Sequence, residues 1–372
     1  MLGFSIKKEQ RPKGANPFNK EIVLLPMPRI HKLDGLRGLF ALFVVLFHLN
    51  RNNAPLLLVN NFFVRESHIF VDFFFILSGY VITLTYDNKI QQGKEFIQFL
   101  KKRILRLYPL LLFATCMYWY FVHPNWDKQN IRLAMDTLLL TNSTPILGST
   151  IGMNYPSWSI SSEMISYLFF GISSLIAVHT KKPYLLAAIT LSCFIFLATQ
   201  QNYFLTGDYG FIRGLACFNL GYFIFLMGKK NVQLPHFLEG VMVLIIVGLM
   251  YLLHQLSKQP SPALVWIQFL IPIAFATSIW VLIKTNGYLS RLLATKPLLF
   301  LGKISYSVYL NQAFIIGYFI PKLYKWVAFT QGETKKTICV ILLLMILVMY
   351  SWGTQYFIET RIGKKISKFV HH

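Results

Sequence analysis

The sequence predicts an all-α integral membrane protein, a polytopic bundle of about ten transmembrane helices with both termini cytoplasmic. Composition is the first observation behind this: 55% of the 372 residues are hydrophobic and only 13% are charged, against about 25% charged in soluble domains. Length is the second. Apolar stretches near the roughly 20 helical residues that cross a hydrocarbon core of about 30 Å recur from one end of the chain to the other. The third is texture: the stretches lack the polar alternation of β-barrel strands, and in lipid a helix satisfies its backbone polar groups within its own segment.

In order, the expected spans are 36–52, 68–86, 107–123, 157–178, 184–200, 211–228, 237–256, 262–283, 298–320 and 337–357. The first lies in "LDGLRGLFALFVVLFHLN" and the second in "IFVDFFFILSGYVIT". The third follows the basic, amphipathic "KKRILRLYPL", and the fourth opens at Pro156 and Ser157, which suit a helix start. The ninth carries "LGKISYSVYLNQAFII". The chain thus divides into a basic N-terminal tail (1–32), a membrane domain (33–357) and a basic C-terminal tail (358–372).

A net charge of +22 raises nucleic acid as a partner, but the cations are sorted by membrane side rather than gathered on one domain. With the N-terminus inside, 25 of the 36 Lys and Arg fall in inside segments and nine in outside loops, the bias of cytoplasmic loops. Lys322, Lys325, Lys335 and Lys336 run against it, on the outer side between the last two spans. Membrane lipid is therefore the expected surrounding, and nucleic acid is not expected. Cys116, Cys193, Cys217 and Cys339 lie in apolar runs without paired spacing, so neither a disulfide framework nor a metal site is expected. The first span follows a polar tail and has no small-residue cleavage site, so it is not read as a cleaved signal peptide.

Ionisable residues inside such spans are costly and tend to mark a functional route. Arg37 and His48 are eleven residues apart, which on a helix returns to within about 20° of one face and rises about 16 Å. Two readings stand: an inside anchor with a hydrogen-bonded interior histidine, or an arginine holding an anion at the mouth while His48 takes a proton deeper in. Asp34, one turn before Arg37, either orients it or simply begins the helix. Asp72, set among phenylalanines, needs a partner, and Arg37 or His48 is the natural candidate. Ser78 and Gly79 permit close helix approach. Arg103 and Arg106, one turn apart, either clamp phosphate or anchor an interfacial helix. Ser159, Glu163 and Ser166 or Tyr167 share a face of the fourth span, with Glu163 expected slightly below the outer surface. Lys303, Ser305, Tyr309 and Gln312 recur at near-helical spacing in the ninth span, which packing glue also explains.

Together these segments resemble the acyltransferase-3 family of polytopic membrane O-acyltransferases, typified by enzymes that O-acetylate bacterial cell-surface polysaccharides. "LDGLRGLFALFVVLFH" is similar to the first-helix signature with its Arg-x10-His spacing, and "VDFFFILSGYVIT" to an Asp-aromatic-Leu-Ser-Gly segment. "RILRLYPL" resembles an Arg-x-x-Arg-x-x-Pro motif, "WSISSE" a Trp-Ser-x-Ser-x-Glu motif through Trp158, Ser159, Ser161 and Glu163, and "LGKISYSVYL" a late Gly-x-x-Ser-Tyr-Ser-x-Tyr-Leu segment. Asn311 and Gln312 stand where the family usually has Trp-His, which puts in doubt a catalytic role for the ninth helix. Phe70 and Val71 precede Asp72 where a glycine is often found. The chain resembles the stand-alone form, without an extra esterase-like domain.

The resemblance implies transfer of an acyl group, most often acetyl, from cytoplasmic acetyl-CoA to a hydroxyl of a glycan or glycolipid at the bacterial inner membrane. It implies Arg37, Arg103 and Arg106 at the CoA phosphates, His48 as general base, and Asp72 and Glu163 as further catalytic groups, Glu163 on the acceptor side. Asp34, Ser78, Trp158, Ser159, Ser305 and Tyr309 would support them. Lipopolysaccharide O-antigen, another polysaccharide and a glycolipid all fit as acceptor. The rival from another class is a proton-coupled transporter or flippase for a glycan or lipid precursor, with the same buried charges as its proton relay.

Overall fold

Each apolar run closes its backbone hydrogen bonds on itself, and no strand is present among the described residues. The structure is a computed structural model that describes residues 30–148, 150–176, 182–230, 232–259 and 262–362. In chain order the helices are α1 (His31–Phe47), short α2 (Leu56–Val59) and α3 (Phe62–Arg65), α4 (Phe70–Tyr86), α5 (Gly93–Val122), α6 (Lys128–Leu138), α7 (Trp158–Ile176), α8 (Lys182–Thr199), α9 (Gly210–Gly228), α10 (Leu238–Leu256), α11 (Pro262–Lys284), short α12 (Tyr288–Leu293), α13 (Lys296–Trp326) and α14 (Gly332–Thr354). A π-helical stretch, Gln355–Ile362, continues α14. Of the tails expected at 1–32 and 358–372, residues 1–29 and 363–372 lie outside the described residues, as do 177 and 178 at the end of the fourth expected span; His31 and Lys32 instead open α1, and residues 358–362 belong to the π-helical stretch.

Among the described residues, eight segments are long and apolar enough to cross a membrane. The other two expected spans are α1, only 17 residues long, and α13, which is rich in polar groups. These two pack along each other, because Gly38 and Gly302 bring their backbones together. A β-carbon at Gly38 would overlap Leu301 and Gly302, and one at Gly302 would overlap Asp34. The basic stretch before the third span is not a separate interfacial helix, since residues 93–106 form the first half of the 30-residue α5.

α1 divides two apolar cores. Leu33, Phe40 and Val44 face one core, shared with α4, α7, α9, α10 and α11. Ala41, Val45 and Leu49 face the other, shared with α13 and α14. The functional stripe of α1 runs between these faces.

Helix ends gather at two faces. Lys32 reaches Asn286 at 3.1 Å, Asp87 pairs with Lys229 at 3.1 Å, and Lys284 donates to the Gly228 carbonyl at 2.7 Å. These tie together one basic end. At the other, the Tyr324 hydroxyl donates to the Asn52 carbonyl (2.9 Å) and Lys336 to the Arg51 carbonyl (3.0 Å). The lysine-bearing α13–α14 turn therefore lies with the end of α1 that carries His48, and the alternation of helix direction holds despite the charge count.

Candidate active site

The Arg37 end of α1 opens on a cavity of about 180 Å³ lined by Arg37, Ser78, Arg106, Ser159, Glu163, Tyr167, Lys303, Ser305, Tyr306 and Glu359 among others. α13 holds one edge of the Arg37 guanidinium: Nε donates to Ser305 Oγ (2.9 Å) and Nη2 to the Gly302 carbonyl (2.7 Å). Asp34 Oδ1 lies 3.4 Å from Nη2. Two of its five N–H groups make these hydrogen bonds and Asp34 stands beside Nη2, which leaves Nη1 available to an anion. Arg106 and Lys303 are exposed on the same cavity.

Arg103 is not among these lining residues. It stands over the rings of Tyr86 (5.4 Å) and Phe99 (6.0 Å) and donates to the Tyr86 hydroxyl. The expected gathering of three arginines is therefore a gathering of Arg37, Arg106 and Lys303. One helical turn separates Arg103 from Arg106, and α5 turns one of them to the cavity and the other to its aromatic neighbours.

Glu163 is also corrected. Ser159, Glu163 and Tyr167 follow one another at i, i+4 and i+8 on α7, and all three line the Arg37 cavity rather than that of His48. Glu163 Oε1 accepts from Ser78 Oγ and from the Tyr167 hydroxyl. Trp158, one residue earlier on the turn, faces the other way.

That other way is a second cavity, about 270 Å³, lined by Val44, Phe47, His48, His68, Val71, Ile151, Tyr155, Pro156, Trp158, Phe204, Thr206, Arg213 and Tyr309. Both cavities count Val71 and Tyr309 in their walls, so they abut there. At the junction Ser159 Oγ lies 2.9 Å from the Tyr309 hydroxyl. The loop before α7 is pinned by Asn142 to Ser157 (2.8 Å), Ser143 to Ser161 (2.8 Å) and Asn154 to the Leu310 carbonyl (3.2 Å). Pinning that loop sets Tyr155 against His48, ring centroids 4.7 Å apart.

The contacts of His48 fix its tautomer. Nδ1 lies 2.8 Å from the Val44 carbonyl and 3.0 Å from Gln312 Oε1. Gln312 Nε2 donates to the Tyr309 carbonyl (2.9 Å), so it is the amide oxygen that faces the imidazole. Both partners of Nδ1 are acceptors; in the neutral ring Nδ1 carries the hydrogen and Nε2 the lone pair. The departure from the family pattern in the ninth span thus lies directly on His48.

Asp72 pairs with neither Arg37 nor His48. Its partner is Arg213, whose Nε lies 2.7 Å from Oδ1, both side chains being almost completely buried. The physical reason is the close contact of α4 with α9: a β-carbon at Gly79 would overlap the Phe218 carbonyl, and one at Gly221 the backbone of Ile76 and Tyr80. That contact sets the register that brings Asp72 to Arg213. Arg37 is meanwhile committed to α13.

Arg213, His68, Tyr155 and Glu359 are site residues that the sequence motifs did not select. Arg213 carried a signal, as the sole charge in the α9 segment. Glu359 carried none, lying beyond the last apolar run, where the π-helical stretch turns it toward Ser307 and the Arg37 cavity. Among the described residues no group of three or more His, Cys, Asp or Glu is placed to hold a metal ion.

The profile of the acyltransferase domain family matches residues 30–354. The chain belongs to this family. This acyltransferase-family chain, a multi-pass membrane protein, is similar to O-acetyltransferase OatA of Staphylococcus aureus (strain NCTC 8325 / PS 47), 26% identical over 369 residues covering 90% of this chain and 57% of OatA. It thus spans a little over half the length of that relative. Protein 2 in picA locus of Rhizobium radiobacter is 32% identical over 162 residues, 38% of this chain and 80% of that protein. BcsY of Komagataeibacter xylinus is 25% identical over 320 residues, 77% of this chain and 72% of BcsY. No solved structure matches.

Proposed function

We propose that this chain is an O-acetyltransferase of the bacterial inner membrane, moving an acetyl group from cytoplasmic acetyl-CoA to a hydroxyl of a cell-surface glycan or glycolipid. The observation that carries the reading is the pair of abutting cavities, one rimmed by Arg37, Arg106 and Lys303 and the other holding a histidine with a free Nε2. By the charge bias of the loops, the Arg37 face is the cytoplasmic one. Arginine forks and a lysine suit the phosphates of CoA. The acyl arm runs past Tyr309 toward His48, whose Nε2 takes the proton of the acceptor hydroxyl as its oxygen attacks the thioester carbonyl. His48 then returns that proton to the leaving thiolate.

Phe47, Tyr155, Trp158 and Phe204 give the second cavity broad apolar faces against which a sugar ring packs, entering from the side opposite the phosphates. The similarity to O-acetyltransferase OatA, which spans 90% of this chain, supports acetyl as the acyl group. Glu163 is assigned to the donor side, where with Glu359 it offsets the three cations.

The test is transfer from labelled acetyl-CoA by purified, folded protein. His48→Ala loses it at any donor concentration and Arg37→Ala loses most of it only at sub-saturating acetyl-CoA, and full activity of the His48 variant contradicts the mechanism.

A further inference from the structure

We infer that Arg213 is the residue that stabilises the oxyanion of the acyl-transfer step, and that Asp72 is its positioning residue. The inference rests on the acyl-transfer reading above and concerns what else the His48 cavity supplies.

Arg213 is 1% exposed and Asp72 0%. Taking two charges out of water costs more than their attraction returns unless further hydrogen bonds complete both groups. Here they are not completed. Asp72 takes only Nε of the guanidinium, while Arg213 Nη2 is buried without a partner. Arg213 lines the same cavity as His48. Three rings hold the guanidinium in place, those of Phe204 (4.9 Å), Trp158 (5.6 Å) and Tyr203 (5.6 Å). A fixed, buried N–H donor without a partner among the described residues thus belongs to a side chain in the wall of the cavity that contains the base.

Charge balance selects its role. Asp72 cancels the charge of Arg213, so the pair offers little to a ligand that arrives already anionic. A preorganised N–H beside a base instead favours charge that develops only during reaction. Arg37 does not serve that role, because it is held by Gly302 and Ser305 in the other cavity. The titratable groups facing this cavity with it are His48, His68, Tyr155 and Tyr309, and Tyr203 lies against the guanidinium; His68 Nδ1 is also buried and without a partner among the described residues.

The step balances as follows. His48 Nε2 accepts the hydroxyl proton and the oxygen forms a bond to the thioester carbon. The carbonyl π pair moves onto its oxygen, where Arg213 Nη2–H donates to it. When the pair returns, the carbon–sulfur bond breaks and the thiolate takes the proton from His48, leaving the ester, CoA thiol and neutral imidazole.

The test uses the full chain in detergent, acetyl-CoA as the donor and water as the acceptor, with release of CoA thiol as the signal. Two variants separate chemistry from folding. The pair Asp72→Leu with Arg213→Met removes both charges and leaves no orphan, and Arg213→Lys keeps the charge for Asp72 but loses the forked donor. In both, kcat falls about 100- to 1,000-fold, as for loss of an oxyanion donor, while KM for acetyl-CoA and the thermal shift it produces stay close to those of the native chain. Turnover within about 10-fold of native in either folded variant, or a rise in KM with kcat unchanged, overturns the inference. If the native chain releases no more CoA than His48→Ala, the acyl-transfer reading itself fails, and Arg213 loses this role with it.

Discussion

The Arg37 cavity and the His48 cavity hold their charges in opposite ways. In the first, three cations and two carboxylates face one space, two of the cations exposed, and hydroxyls of Ser78, Tyr167, Ser305 and Ser307 share them out. In the second, the charge is one ion pair sealed among aromatic rings, next to a histidine whose hydrogen is fixed by two acceptors. Exposed, redundant charge suits capture and release of a polyanion, since any one contact there is weak and screened. Sealed, preorganised groups suit chemistry, because in a dry site their hydrogen bonds are strong and need no rearrangement.

Substitutions that cross this division test it. The largest effect is expected at His48: His48→Ala lowers kcat about 100- to 10,000-fold with little change in KM, whereas Arg37→Ala acts mainly on KM, raising it about 10-fold or more through loss of a charge-assisted contact. Steady-state kinetics with acetyl-CoA read both. Asp72→Ala comes next and acts on folding, because it strands a buried guanidinium; a loss of about 3–5 kcal/mol is expected by denaturant or thermal unfolding. Glu163→Gln, at a partly exposed position, changes stability by about 1 kcal/mol or less. If the two cost the same, the cavities do not differ as described. Gln312→Leu removes one acceptor from His48 Nδ1 and is expected to lower kcat about 5-fold, corresponding to about 1 kcal/mol. Smallest is Glu359→Gln, which removes a competing anion from the cationic mouth and lowers KM for acetyl-CoA about 2- to 3-fold.

The apolar helices were legible because hydropathy is a local property: each of the ten expected segments overlaps a long helix, and eight such segments among the described residues are long and apolar enough to cross a membrane. The Arg37–His48 stripe was legible for the same reason, as helix geometry alone relates residues eleven apart. Pairings between distant helices were not. Asp72 and Arg213 are 141 residues apart and meet because Gly79 and Gly221 fix how α4 lies on α9, which neither local sequence states. Glu163, expected on the acceptor side, lines the Arg37 cavity for a related reason. Depth along α7 follows from residue counting, but which cavity the side chain enters depends on α4 supplying Ser78. Gln312 read as a loss from the family motif, and only the approach of α13 to α1 reveals it as a partner of His48.

The central claim is that phosphate capture and proton transfer reside in separate cavities. The most direct measurement is the thermal shift produced by acetyl-CoA in the native chain, Arg37→Ala and His48→Ala, since a ligand that binds only the folded state raises its stability by about 2.7 kcal/mol at 100 times its Kd. The account predicts a shift in the native chain that His48→Ala keeps and Arg37→Ala largely loses. A shift that survives in Arg37→Ala and disappears in His48→Ala, or none in the native chain at millimolar acetyl-CoA, would contradict it.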